Sequence, residues 1–260
     1  MSRGSERGRL AHALDVVRVL VGREFKSRYR KTSLGVAWSV LSPLLFLMTF
    51  YLVFKVVIDL QIERYASYIF IGIVAWTWFQ GALGDSVIGI SSNPGLVSQP
   101  GFPVFAVPIV SVTTALINFL TALPIVLVVL LFEGARPHLI WLTLPLLVFI
   151  QYVLTLGLSY LLAALNVHLR DTQYILPAVL QIGYFMSPIF YDASRAPKQF
   201  ALLFNLNPMV HILGGYRDIL LRGAAPNWGA LGVVFVCSAA LLWVGHAFFR
   251  RASYRFLEEL

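Results

Sequence analysis

Residues 107–132 read VPIVSVTTALINFLTALPIVLVVLLF, with no Asp, Glu, Lys or Arg. A hydrocarbon core of about 30 Å takes roughly 20 helical residues to cross. The apolar positions here run on rather than alternate, so the stretch is predicted as a transmembrane helix and not as a barrel strand. The charge-free region begins earlier, at Ser86, which leaves this half of the chain nothing on which to run a relay of ionisable side chains.

Similar runs recur on either side. Of 260 residues, 58% are hydrophobic and 12% charged, with a mean hydropathy of +0.78; a soluble domain carries about 25% charged residues. The chain is therefore predicted as an all-α membrane protein, a single transmembrane domain over 1–260. Six spans are expected, at 34–58, 67–90, 107–132, 138–165, 172–191 and 227–249. The run beginning near Leu34 is too long for a signal-peptide core and is expected to stay as an anchor. Cys237 is the single cysteine, so no disulfide forms within the chain. No internal or inverted repeat is evident, which argues against a secondary transporter.

Charge sets the orientation. With six spans both termini share one face, and residues 1–33, Arg170 and the tail after Phe249 place thirteen Lys or Arg there, against seven on the other. By the positive-inside rule both termini are cytoplasmic. So is the uncharged segment SSNPGLVSQPGFPVFAVPIV at 91–110. In it Asn93 and Pro94 can start a short helix, Pro100 and Gly101 end it, and Pro108 sits in the first turn of the third span.

Two further segments are neither span nor plain loop. Over 10–32, Leu10, Leu14, Val17, Val21 and Phe25 recur at steps of three or four, with Arg18, Arg23, Lys26 and Arg30 mostly off that stripe. This is the pattern of an amphipathic helix in the inner interface; periodicity alone fits equally a helical positive-inside anchor. Residues 197–223 are too polar to cross and too apolar for a free loop. Pro197 and Pro208 favour two short helices that dip into the outer leaflet as a re-entrant pair, buried against protein.

No catalytic or metal site is predicted. The histidines at 12, 138, 168, 211 and 246 form no H-E-x-x-H pair, and no G-x-S-x-G elbow occurs. No phosphate-binding G-x-x-x-x-G-K-[ST] occurs either, so this chain binds no cofactor and any ATP belongs to a partner. The basic N-terminus directly precedes a span, which makes anionic lipid headgroups, not nucleic acid, its partner. Lys55 and Asp85 lie near span ends and read as snorkelling residues. The 19 Phe, 11 Tyr and 6 Trp are mostly belt and packing residues. A minority can line a path on which sugar rings slide, with Trp38, Trp76, Trp78, Tyr152, Tyr184 and Phe185 as candidates.

At GREFKSRYRKTSLGVAWSVLSPLLFLMTFYLVFKVV, residues 22–57, a resemblance becomes specific. Arg23, Glu24, Arg28, Tyr29, Lys31, Leu34, Gly35, Trp38 and Pro43 match the opening motif of the membrane permeases of polysaccharide-exporting ABC transporters, the type 2 exporter class that carries O-antigen, capsule and teichoic acid chains. Asn166, Arg170, Asp171, Gln181, Ser187 and Pro188 match a second block, with His168 and Leu169 in place of aromatics. Asn207, Pro208, Arg217, Leu220, Leu221 and Gly223 match a third, so the likeness spans nearly the whole chain.

The resemblance implies a homodimeric channel in the bacterial cytoplasmic (inner) membrane, with ATP and Mg bound by two copies of a separate ABC ATPase subunit. It also implies a cytoplasmic coupling helix, placed at 94–105, with Asn93, Leu96, Val97, Phe102, Pro103 and Phe105 retained. Ser98, Gln99 and Val104 stand where relatives carry charge, so an apolar contact with the ATPase is expected there. Arg18, Arg23, Arg28, Tyr29, Arg30 and Lys31 lie where a diphosphate lipid headgroup would arrive, although topology alone also accounts for them. The expected function is ATP-driven outward export of a lipid-linked polysaccharide. The alternatives are a drug or small-lipid exporter of the same fold and a membrane-embedded glycan-modifying enzyme.

Overall fold

The computed structural model describes residues 3–29, 35–57, 63–192, 199 and 201–253. Among these there is no strand, and the α-helices are α1 (Arg3–Tyr29), α2 (Trp38–Tyr51), α3 (Tyr65–Gly89), α4 (Pro94–Val97), α5 (Ala106–Phe132), α6 (Leu144–His168), α7 (Thr172–Met186), α8 (Ala201–Leu206), α9 (Pro208–Arg217) and α10 (Trp228–Ala252). Wider π turns extend α2 over Leu52–Val57 and α9 over Asp218–Arg222, and a 3-10 turn, Leu139–Thr143, leads into α6.

Four helices are long and apolar enough to cross a membrane: Tyr65–Gly89, Ala106–Phe132, Leu139–His168 and Trp228–Ala252. The other two apolar runs take different forms. The first is helical from Gly35 to Val57 but changes pitch at Leu52. The second, expected over 172–191, is helical only as far as Met186, about 22 Å at 1.5 Å per residue. Pro188 stops it, because the residue before a proline is pushed out of the helical region; Ser187 is extended, with ψ of 139°.

α3 is the axis of the bundle. It has the lowest mean hydropathy of the four long helices, 1.3, yet is the most enclosed, 78% buried against 22–33% for the others. A helix walled in by α2, α5, α6, α7 and α9 does not face lipid, so small and polar residues such as Ser67, Gly72 and Ser86 fit within it. The more apolar α5, α6 and α10 turn much of their surface outward.

The prolines and glycines of 91–110 break the segment more sharply than expected. Pro94 opens α4 at its first turn, but the helix ends at Val97 instead of running to 105. Turns closed by Gln99 N–H to the Leu96 carbonyl and Phe102 N–H to the Gln99 carbonyl follow, with Gly101 at φ +82° where a side chain would be strained. Pro108 sits in the first turn of α5, where its missing N–H costs nothing.

α1 lies against α5. Its apolar stripe meets the bundle from Val17 onward: Val21 is buried, Val17 and Phe25 are half-buried, and Leu14 remains exposed. The segment at 197–223 includes α8, α9 and the π turn. α9 is part of the core, burying Met209, Ile212, Leu213, Tyr216 and Arg217.

α6 and α10 pack along their lengths, with Gly157 and Gly245 at the closest approach. A Cβ on Gly245 would lie 2.6 Å from the Gly157 carbonyl oxygen, and one on Gly157 2.8 Å from the Leu242 nitrogen. Close backbone approach of this kind supplies the van der Waals contact that associates helices in lipid. Gly245→Val is expected to destabilise the full chain by about 1–3 kcal/mol through overpacking. Gly232→Ala, on the open side of the same helix, should have little effect; denaturant unfolding in mixed micelles checks both.

Candidate functional site

Clusters of buried side-chain hydrogen bonds lie at the two ends of the bundle. At the α4 end lie the last turns of α3, α6 and α10, the first turns of α5 and α7, and part of α1. Asn166, buried near the end of α6, ties three of these together. Its Nδ2 donates to the Val87 carbonyl at 2.9 Å, and its Oδ1 accepts from the Gln173 N–H at 3.1 Å. Tyr160 on α6 donates its hydroxyl to the Phe105 carbonyl at 2.9 Å and packs edge-on against Phe249 and His246 of α10.

Between α1 and the α3–α4–α5 turn is a cleft of about 350 Å³ lined by Leu20, Arg23, Glu24, Ser27, Asp85, Ile88, Gly89, Ser92, Asn93, Leu96, Val107, Val110 and Ser111. It brings together Arg23, expected at the lipid headgroup, with Asn93 and Leu96, expected at the ATPase. Arg18 is exposed on α1 outside the cleft. Arg28 and Tyr29 belong to the last turn of α1; Arg30 and Lys31 lie outside the described residues.

The residues expected at the coupling segment divide by burial. Val97 is buried within this chain, Leu96, Phe102 and Pro103 are half-buried, and Asn93 and Phe105 are exposed. Phe102 packs against the core cluster. The outward surface of 91–101 is instead small and neutral, formed by Ser91 to Gly95 and Ser98 to Gly101.

The aromatic candidates also separate. Trp76, Tyr184 and Phe185 belong to one cluster, with ring centroids 5.8 Å apart for Trp76–Tyr184 and 5.7 Å for Tyr184–Phe185. Phe185 is exposed and Tyr184 half-buried, whereas Trp76 is buried. Trp78 is buried on another face, against Phe119, which in turn meets Tyr216. Tyr152 is half-buried and shares a 2.9 Å hydrogen bond with Thr113. Trp38 stands exposed at the start of α2.

At the opposite, α9 end, sequence reading matched Arg217 to a motif but did not find what it does. It is 4% exposed. Its guanidinium donates to the Pro188 carbonyl at 2.5 Å, the Ile189 carbonyl at 3.0 Å and the Tyr68 carbonyl at 3.4 Å, and lies 3.5 Å from the centroid of the Tyr68 ring. Tyr65 and Tyr68 donate their hydroxyls to the Phe190 and Tyr191 carbonyls. Asn207 caps α9 by accepting the Met209 N–H at 3.0 Å and donates to Ser187 Oγ at 3.1 Å. Glu133, just after α5, accepts the N–H groups of Ala66 and Ser67 in the first turn of α3, where the helix dipole favours an anion. The one signal in the sequence was an arginine inside an apolar, proline-capped run.

Among the described residues no group of three or more His, Cys, Asp or Glu could hold a metal ion. The arrangement is that of a membrane bundle braced at both ends. The ABC-2 type transporter family matches residues 15–221, and the chain belongs to that family.

Within it, the chain is 34% identical over 243 residues to an O-antigen export system permease protein of Myxococcus xanthus, covering 93% of this chain and 94% of the relative. It is 28% identical over 252 residues to an O-antigen export system permease protein of Klebsiella pneumoniae, covering 96% and 97%. A polysialic acid transport protein of Escherichia coli is 24% identical over 241 residues, covering 90% and 92%.

Asn166→Leu removes both hydrogen bonds of the α4-end brace while keeping the side chain's bulk. Leaving the Val87 carbonyl and Gln173 N–H unpaired is expected to cost about 1–3 kcal/mol. Unfolding in mixed micelles reads the loss, and hydrogen exchange should be faster at the Gln173 amide.

Proposed function

We propose that this chain is the permease subunit of an ABC transporter that exports a lipid-linked polysaccharide, of O-antigen, capsule or teichoic acid type, across the bacterial inner membrane. The observation that carries this is the near full-length similarity to permeases named for O-antigen export in two organisms, joined by a protein named for polysialic acid transport. What these names share is a long glycan, which favours a polymer over a drug or a small lipid.

In this reading six segments span the membrane, the four long helices together with residues 34–58 and 172–191, and both termini are cytoplasmic. Two copies form the channel, and two ATPase subunits hold the ATP and Mg. The α4 end faces those subunits. A push on 91–105 passes to α6 through the Tyr160 hydroxyl and, through Asn166, to the start of α7. The small neutral surface of Ser91–Gly101 supports a contact made by close packing rather than by ion pairs, so coupling should depend little on salt.

Gly95 offers a clean probe, because a Cβ there meets nothing within 4 Å in this chain. Deleting the gene is expected to abolish surface glycan and to accumulate its lipid-linked form inside the cell. Gly95→Glu should reproduce that phenotype with normal insertion and unfolding, lowering glycan-stimulated ATP hydrolysis by about tenfold, the effect of 1.4 kcal/mol of lost contact. Unchanged surface glycan in the deletion strain, or ATPase stimulation by small lipids and not by lipid-linked glycan, would contradict the reading.

A further inference from the structure

The second half of α3, otherwise the most enclosed helix, carries one open stripe. Thr77, Gly81, Gly84 and Ile88 follow one another at steps of four, three and four, with Gln80 beside them, so they share a face. Thr77, Gln80 and Ile88 are exposed and the two glycines half-buried. A Cβ on Gly81 or Gly84 would meet nothing within 4 Å. One and two turns earlier on the same face, Val74, Ile73 and Phe70 are buried. The stripe is therefore open from the α4 end as far as Thr77 and covered beyond it.

Thr77 is the central residue of α3 (Tyr65–Gly89), and Gln80 lies about 4.5 Å further along at 1.5 Å per residue. Both fall within a hydrocarbon core of about 30 Å. Facing lipid there, an amide would lack partners, which is why polar side chains at such depth face the bundle interior or a water-filled cavity. The outward side of α10 shows the contrast, exposing Val233, Val236 and Val244. Gln80 is also positioned: its Oε1 accepts the Trp76 Nε1–H at 3.0 Å, which leaves its two N–H groups as donors. Thr77 adds a hydroxyl that both gives and takes a hydrogen bond.

We propose, on the reading of the chain as a polysaccharide exporter, that this stripe is the inner half of the glycan path. Sugar hydroxyls both donate and accept, so an uncharged amide and hydroxyl serve them without holding one register. Gly81 and Gly84 leave room for a ring to pass against the helix. Trp76, buried, acts as a positioning residue for Gln80 and not as a surface on which sugars slide.

The competing occupant is a helix of a second copy, because small residues allow close approach in lipid. Ile88 also lines the cleft of about 350 Å³ against α1, so the stripe opens at the α4 end. That opening suits a chain entering from there, and a helix packed along the stripe would shut it.

The test introduces Thr77→Cys or Gly84→Cys into the full chain with its ATPase subunit and follows reaction with a small charged thiol reagent. Only a thiol in contact with water ionises and reacts readily, and native Cys237, exposed on α10, serves as the lipid-facing reference. Both introduced thiols are expected to react about tenfold faster than Cys237, a barrier difference of about 1.4 kcal/mol. Synthesis of the lipid-linked glycan in the same cells should slow them by about as much again. Gly81→Leu, whose side chain enters open space, should block export with insertion and unfolding unchanged. Thiols as unreactive as Cys237 would give the stripe to lipid. Disulfide-linked copies through Thr77→Cys on mild oxidation, which needs Cα atoms within about 7 Å, would give it to a second copy. Either result overturns the proposal, as do reaction rates indifferent to the glycan or normal export in Gly81→Leu. Where deletion of the gene abolishes surface glycan, these failures strike the path and leave the exporter reading standing. A deletion that keeps its surface glycan defeats both.

Discussion

A guanidinium buried among carbonyls fixes the α9 end of this protein. Taking a charge out of water is costly, and an unpaired backbone carbonyl in an apolar setting costs several kcal/mol. Arg217 answers both needs at once. The Pro188 and Ile189 carbonyls belong to the chain that breaks away after α7, and the Tyr68 carbonyl to the first turn of α3. The Tyr68 ring supplies the face of the site, where a desolvated cation–π contact is worth about 2 kcal/mol. Lysine could not replace it, having a point charge where a fork of donors reaches carbonyls on two sides.

From that anchor the rest of the fold follows. α9 can lie within the core because the two terminal nitrogens of its buried Arg217 reach three carbonyls, and Asn207 caps it while holding Ser187. α3 can be the least apolar of the long helices because it is enclosed. α7 is held at its end by the Arg217 group and at its start by Asn166, while most of its length stays outside the core. A short helix gripped at both ends and exposed between them is suited to carry displacement from one face of the bundle to the other.

The parts legible in the sequence are those governed by averages over many residues. Long apolar runs announced a helical membrane protein, and four of them are helices long enough to span. Pro94 and Pro208 marked helix starts because the fixed φ of proline suits a first helical turn, which is local chemistry. What escaped is set by partners far along the chain. Hydropathy registers the charge on Arg217 but not the carbonyl of a residue 149 positions away, so α9 read as a helix buried against protein without any sign of what Arg217 holds. Val97 looked like part of an outward apolar knob, yet the turn folds it inward.

The central claim is that Arg217 works through Tyr68 and the carbonyls around it, and a double-mutant cycle measures this most directly. Arg217→Met, Tyr68→Leu and the pair would be unfolded in mixed micelles alongside the unmodified chain. The account predicts a coupling energy of at least about 1 kcal/mol between the two positions, whereas additivity within roughly 0.5 kcal/mol, as found for independent sites, would contradict it.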